Sequence, residues 1–368
     1  MLGGGSTEPI LHSFKNDQQL RVGVRDLLDK EDVQATTGTL SDIAQACLRQ
    51  IAAQEYRRLV AKFGEPTVAE GRRSGQPCEL VILGMGKFGG REMNYHSDLD
   101  VVFLYEADGT TRSPDGRPHH STSNQHFFSE LAQRIVRTTS RMGAYGRLYE
   151  IDARLRPTGR SGALATSLDE LGRYFAEGQG QLWERQALCK ARVVHGSERA
   201  ARRTMSVVGK AAFHHRWRRR DADEVRRMRH RLEGTASAGD LKRGPGGIVD
   251  IEFLVQMLQL KHGRRNPELR VPNTLQALRA LRGTGALDDE DYEFFSLSYR
   301  LLRIIEGRLR LMNSTARDRL PRNPTELSKL AHLLHYQDSD ALLRDYENAV
   351  GQIRRRFDRH FDAAGTPA

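Results

Sequence analysis

The sequence predicts an α+β protein: a small mixed sheet flanked by helices, followed by a C-terminal helical bundle. Three observations carry this. Two apolar, β-branched runs, "ELVILG" (79–84) and "LDVVFLYE" (99–106), lie a short glycine-rich segment apart, and runs of that length suit strands better than helices. Two more strand-like stretches, "GRLYEIDARLRP" (146–157) and "GALATS" (162–167), follow. Beyond about residue 180 nearly everything has helical periodicity. The pattern is not a long βαβ repeat. It divides into an N-terminal helical segment (1–75), a catalytic α+β unit (76–200) and a C-terminal helical bundle (201–368).

The elements can be justified in order. The first 30 or so residues read as short helices. "SDIAQACLRQIAAQEYRRLVAKFG" (41–64) is an amphipathic helix with Ser41 as N-cap, ended by Gly64 and Pro66. "EGRRSGQPC" (70–78) is a loop. The two strands at 79–84 and 99–106 come next, joined by the glycine-rich turn. "ADGTTRSPDGRPHHSTSNQ" (107–125) is a polar loop that holds His119 and His120, and "HFFSELAQRIVRTTSRM" (126–142) is a helix. In the strand at 146–157, Leu148, Glu150, Asp152, Arg154 and Arg156 share one face at period two. "LDELGRYFAEG" (168–178) is a helix.

At 368 residues the chain has room for about two domains and a sizeable core. Lys and Arg number 58 against 47 Asp and Glu, a net charge of +11. That permits nucleic acid, nucleotides or an acidic protein surface as partner and does not choose among them. The densest basic patch is "HHRWRRR" (214–220), continued by Arg226, Arg227, Arg229 and Arg231. It reads either as a solvated helix face, with Asp221, Asp223 and Glu224 interleaved, or as a contact for phosphate or an acidic partner. No apolar run approaches the ~20 residues of a membrane span. "MLGGGSTEPI" lacks the basic start and apolar stretch of a secretory signal. Cys47, Cys78 and Cys189 lie far apart and read as free thiols of a cytoplasmic protein.

Two signals compete between residues 80 and 106. "GMGKFG" (84–89) matches G-x-G-x-x-G after a strand, a weak dinucleotide signature. That reading needs a long helix straight after the glycines. Here only about two turns of chain separate them from the next strand, too little for a parallel crossover. Asp98 and Asp100 make the stronger signal. At i and i+2 of a strand they share a face, while Leu99 and Val101 point into apolar packing. Two such carboxylates repel unless one is protonated or a cation sits between them, and hard oxygen ligands suit Mg²⁺. The plainer alternative is a surface aspartate pair salt-bridged to arginine. Asp152 adds a third carboxylate on another strand. If the strands are adjacent, the three can hold one or two metal ions for an in-line displacement at phosphorus. Arg154 and Arg156 share the face of Asp152 and are placed for polyphosphate. Gly84, Gly86, Gly89 and Gly90 then let backbone N–H groups approach a triphosphate, with Lys87 and Ser97 as further donors.

A glycine turn followed by hDhDh and a later third Asp resembles the nucleotidyltransferase superfamily of the DNA polymerase β type. The resemblance extends to four blocks in order: "GMGKFGGREMNYHSDLDVVFLYE", "YEIDARLRPTGRSGALATS", "WERQALCKARVV" and "GPGGIVDIEFLVQMLQLKHG". Together with "LRVGVRDLL", "NTLQALRAL" and "YRLLRIIEGRLRL" they resemble the glutamine synthetase adenylyltransferase/adenylyl-removing family across most of the chain. That family carries two related halves in one long chain, one attaching AMP from ATP to a tyrosine of glutamine synthetase and one removing it by phosphorolysis. A single hDhDh block makes this chain resemble one half, and its blocks are more like the adenylylating one.

The resemblance implies Asp98, Asp100 and Asp152 as catalytic and Mg²⁺-binding residues. It implies Gly86, Lys87, Gly89, Gly90 and Ser97 as the loop for ATP, and Arg154, Arg156, Lys190 and Arg192 as groups facing phosphates or the target. Lys190 and Arg192 lie in a possible helix, where basic residues are often only solvated. The resemblance further implies glutamine synthetase as protein substrate and a PII-type signal protein as partner. Asp250 and Glu252 do not share a helix face and read as caps or salt-bridge partners of the bundle, with either still able to approach the active site. "KRGPGG" (242–247) is a tight loop before their helix. The rival readings are an adenylyl-removing half, a non-catalytic nucleotide-sensing module and an RNA-directed transferase. No RNA-binding module is recognisable, and no membrane role is implied.

Overall fold

The computed structural model describes residues 8–113, 120–157, 159 and 162–364. Two long helices open it, α1 (Glu8–Leu27) and α2 (Val33–Phe63). The first is one continuous helix rather than several short ones. The second starts earlier than the sequence suggests, because Asp32 caps it, its carboxylate accepting the Ala35 N–H at 2.8 Å. Ser41 is therefore a buried mid-helix residue. Its hydroxyl donates to the Thr37 carbonyl and accepts the Met93 N–H, which ties α2 to the segment before the DxD strand.

The sheet region follows: β1 (Glu65–Pro66), β2 (Leu80–Gly84), α3 (Gly86–Gly89), β3 (Leu99–Tyr105), β4 (Thr111–Arg112), α4 (Asn124–Ser140), β5 (Ile151–Asp152), β6 (Ala165–Ser167), α5 (Leu168–Ala176), α6 (Leu182–Leu188) and β7 (Arg192–His195). Then come α7 (Glu198–Phe213), α8 (Arg219–Glu233), α9 (Ile248–His262), α10 (Thr274–Gly283), α11 (Asp289–Asn313), α12 (Pro324–Leu333) and α13 (Ser339–Ala364). This is the α+β class with a helical C-terminal part. Within the polar loop, β4 pairs with β1; His119 lies outside the described residues, and His120 is exposed.

Among the described residues one five-stranded sheet runs β5-β3-β2-β7, with β6 also on β3. β2 is antiparallel to both β3 and β7, whereas β5 and β6 lie parallel to β3. The β2–β3 link contains only the four-residue α3. A parallel crossover does not form there, and the dinucleotide reading falls with it. β7 stands where the sequence suggests a helix. Its four residues carry only Val193 and Val194 as a β-forming core, too short a signal for period two to register.

Both faces of the sheet are covered. Ile82, Val101 and Phe103 pack with α2 and α4, while Val81, Leu83, Val102 and Leu104 pack with Leu188, Val208, Leu241, Ile248 and Ile251. Central strands covered on both sides carry nearly continuous apolar runs, which is why 80–84 and 101–105 are easy to recognise. The basic patch at 214–231 splits. Arg229 is fully buried and bonded to Asp250, whereas Arg218, Arg219 and Arg220 are exposed.

Candidate active site

The site forms where β3 and β5 run side by side. Their register pairs Leu99 with Ile151 and Asp100 with Asp152. Two aspartates 52 positions apart in sequence thus become direct neighbours. Asp98 sits one residue before β3 and is exposed, and Asp100 is half-buried. Burial raises the Asp100 carboxyl most, and Asp152 and Asp98 raise it further; Lys242 and Arg154 oppose them, and the net value is about 6. Burial and Glu150 also raise Asp98, against Lys242 and Arg310. Crowded carboxylates that hold on to protons are the expected signature of a site short of positive charge.

The glycine turn is fitted to this pair. The Met85 N–H bonds the Asp100 carbonyl at 2.8 Å. Gly86 follows at φ +51°, and a Cβ there would lie 2.6 Å from Asp100 Oδ2, so only glycine lets the turn lie against the carboxylate. Gly89 has a packing reason instead: its Cβ would meet the Lys190 carbonyl at 1.9 Å. At Gly90 the obstacles are Glu92 Oε2 at 2.7 Å and the Pro272 carbonyl at 3.0 Å.

Several cations expected to face phosphate are already engaged. Lys87 is ion-paired with Glu252 of α9, and Tyr299 donates to the same carboxylate oxygen at 3.1 Å. Burial lowers Lys87 to about 8 while Glu252 pulls it up. Glu252 is itself held low, at about 2: burial would raise it, but Lys87, Lys190 and Arg303 prevail. Lys190 is buried, donating to Glu92 Oε2 and Thr274 Oγ1 at 2.6 Å each. Arg192, in β7 rather than in a helix, braces the turn through the carbonyls of Gly89 (3.0 Å) and Phe88 (3.1 Å). Ser97 Oγ accepts the Asn94 N–H and an Arg310 N–H, both at 3.0 Å.

The strand expected over 146–157 is only Ile151–Asp152. The chain turns after it, so Arg154 and Arg156 do not continue the face of Asp152. Arg154 folds back, its backbone N–H and its Nε each reaching Asp152 Oδ1 at 2.9 Å. Arg156 donates to the Ala153 carbonyl at 2.6 Å.

Sequence reasoning misses Tyr299, Glu92 and Arg303 as residues that support the site; Glu252 reads as a salt-bridge partner and is one, to Lys87. The one signal it offers is the i, i+2 spacing of Asp250 and Glu252. The two do diverge: Asp250 binds Arg229 and the Gly246 N–H (2.7 Å), while Glu252 turns to the glycine loop.

Among the described residues no three His, Cys, Asp or Glu side chains close on a point that could hold an ion; the Asp152 carboxylate is turned to Arg154 instead. The donor chemistry still fits a hard divalent cation. Asp98, Asp100 and Asp152 supply only carboxylate oxygens, burial and its acidic neighbours raise the Asp100 carboxyl, and Arg154, the partner of Asp152, is exposed.

A sheet carrying a DxD strand, a glycine turn against it and a third aspartate in register is the arrangement of a nucleotidyltransferase. Comparison with known proteins narrows this. Residues 7–206 match the family model described as glutamate-ammonia ligase adenylyltransferase, and residues 212–361 match that of GlnD PII-uridylyltransferase. The bifunctional glutamine synthetase adenylyltransferase/adenylyl-removing enzyme of Thioalkalivibrio sulfidiphilus is 35% identical over 360 residues, covering 95% of this chain and 35% of that protein. The Burkholderia mallei protein of the same name is 34% identical, over 92% of this chain and 37% of its own, and that of Pseudomonas putida 32%, over 95% and 35%. The chain spans about a third of the length of these relatives. It belongs to the glutamate-ammonia ligase adenylyltransferase family. No helix among the described residues is long and apolar enough to cross a membrane.

Proposed function

We propose that this chain transfers AMP from ATP to a tyrosine hydroxyl of glutamine synthetase, in a Mg²⁺-dependent reaction in the cytoplasm, with a PII-type signal protein as regulatory partner. The observation that carries the proposal is the register of Asp100 against Asp152, with the Gly86 turn pressed on Asp100. The names of the relatives support glutamine synthetase as target. The "YEIDARLRPTGRSG" and "GGIVDIEF" blocks support the adenylylating direction.

Asp98, Asp100 and Asp152 would hold the metal, which supplies charge neutralisation for the polyphosphate. The tyrosine oxygen bonds to the α-phosphorus as the bond to pyrophosphate breaks. Asp152, once parted from Arg154, takes the phenolic proton. The released Arg154 guanidinium can follow the phosphates. The Gly86 turn keeps side chains away from the triphosphate path, and the Lys87–Glu252 pair holds that turn in place. Positioning and electrostatics carry the catalysis.

The test is purified chain with glutamine synthetase, Mg²⁺ and α-labelled ATP, beside an Asp98→Asn/Asp100→Asn control. Label on the synthetase that disappears in the control supports the proposal. Release of ADP from adenylylated synthetase and phosphate, without labelling, reverses the direction. ATP binding with neither activity leaves a nucleotide-sensing module.

A further inference from the structure

One side of α1 is turned to the rest of the molecule. His12, Val22, Gly23 and Asp26 are buried there. Val22 shares a core cluster with Leu40 and Ile43 of α2, and Asp26 takes the Tyr95 hydroxyl at 2.9 Å and Arg308 at 2.8 Å. The opposite side of such a helix ordinarily carries polar residues. Here it carries Ile10, Phe14, Val24 and Leu28, which are 69%, 39%, 48% and 61% exposed, with Asp17 and Arg21 between them. Leu28 follows the last helical residue, but its N–H still bonds the Val24 carbonyl at 3.1 Å, so it stays on the same stripe. A row of large apolar side chains left in solvent marks an interaction surface.

The spacing of the row points to what covers it. Positions 10, 14, 17, 21, 24 and 28 are separated by 4, 3, 4, 3 and 4 residues, the seam of a helix that packs lengthwise on another helix. The row is also its own complement. Against an antiparallel copy, with the two-fold axis midway between 17 and 21, Ile10 faces Leu28, Phe14 faces Val24 and Asp17 faces Arg21. Each contact is then made twice, as an isologous interface requires. Leu20, 68% exposed, flanks the centre and faces its own copy across the axis. Against a parallel copy, Asp17 would face Asp17 and Arg21 would face Arg21, and like charges repel. Both charged residues are exposed. Asp17 accepts the Ser13 hydroxyl at 3.4 Å, and Arg21 forms no ion pair among the described residues. A polar pair in the middle of an apolar seam sets register and orientation at some cost in affinity.

We propose that the outer face of α1 is a self-association surface, on which a second copy of this chain packs through its own α1, antiparallel and in that register. The seam from 10 to 28 is only about 27 Å long, at ~1.5 Å per residue. A contact of that length lies at the small end of specific interfaces, so the dimer is a weak one, with a dissociation constant of about 1–100 µM. The surface uses none of the aspartates or the glycine turn, and the inference stands or falls independently of the adenylyl-transfer reading.

The test is sedimentation velocity of the full chain over a concentration series spanning that range, with melting temperatures taken at the dilute end. The unmodified chain should pass from monomer to dimer. Val24→Glu places two unpaired carboxylates in the seam and should raise the dissociation constant at least about 100-fold, with the melting temperature unchanged because the position is exposed. Asp17→Arg alone and Arg21→Asp alone each set like charges against one another at both central contacts and should weaken the dimer about five- to tenfold. Asp17→Arg/Arg21→Asp should restore it, and so should an equimolar mixture of the two single variants. A chain that stays monomeric throughout would overturn the inference and leave the stripe to a different partner. So would a dimer indifferent to Val24→Glu, or central reversals that neither the double variant nor the mixture rescues.

Discussion

The Asp100 carboxylate is predicted to destabilise the fold that carries it. Its pKa rises from an ordinary 3.8 to about 6, through burial first and then through Asp152 and Asp98. Each pH unit of displacement corresponds to about 1.4 kcal/mol. Solvent at this half-buried position screens part of that, so ionised Asp100 costs about 1–3 kcal/mol at pH 7.5. The folded-state value is the higher one. Its favourable contribution is therefore fully present below 3.8 and lost as pH rises through about 6. Asp100→Asn keeps the shape and removes the charge. In EDTA at pH 7.5 the variant should melt about 2–8 °C above the unmodified chain. The gap should narrow from about pH 6 and close by about pH 3.8, where Asp100 is neutral in both states. Saturating Mg²⁺ should close or reverse the gap, because a ligand at 100 times its dissociation constant adds about 2.7 kcal/mol to the protein that binds it, comparable with that cost. Thermal scans across pH with EDTA or Mg²⁺ read all of this. A variant that melts lower in EDTA at pH 7.5, or a gap independent of pH, would refute the reasoning.

Two further outcomes concern the frame around the aspartates. Glu252→Gln should destabilise the chain by roughly 3 kcal/mol, since it leaves the Lys87 ammonium in a nearly dry site without its counter-charge; Lys87→Met/Glu252→Leu should recover much of that in a urea titration, and a double variant no more stable than the single one would exclude a buried pair. Gly89→Ala should cost about 4 kcal/mol or more, or yield no soluble protein, because the new methyl would sit 1.9 Å from the Lys190 carbonyl; a melting temperature within a degree or two of the unmodified chain would show that the turn can yield.

The legible parts of the fold are those written in local periodicity. The runs in β2 and β3 announce themselves because both faces of those strands are buried, and Asp98 and Asp100 stand out because carboxylates interrupt such a run only for a reason. The illegible parts depend on partners far along the chain. Lys87 reads as a phosphate donor until Glu252, 165 positions away, closes on it. Arg154 reads as one of a row of cations until the chain turns after Asp152 and folds its guanidinium back. β7 is too short to declare itself, and its place is decided by pairing with β2. Ser41 has the right chemistry for an N-cap, but Asp32 stands earlier and a buried hydroxyl at 41 has other bonds to make.

Lys87 reads as a phosphate donor from the glycine turn, and the resemblance implies Lys190 and Arg192 as groups facing phosphates or the target. In the structure each is bonded to Glu252, Glu92 or the carbonyls of the turn itself. A glycine turn pressed against a carboxylate has no side chains of its own to hold its shape, since Gly86, Gly89 and Gly90 have none. Rigidity must come from outside, and charged groups in a poorly solvated place give strong directional contacts once paired. The helical region provides several of those partners, Glu252 and Tyr299 from α9 and α11 and Thr274 from α10. The exposed cation beside the aspartates, Arg154, stands outside that frame: its partner is Asp152, not the turn.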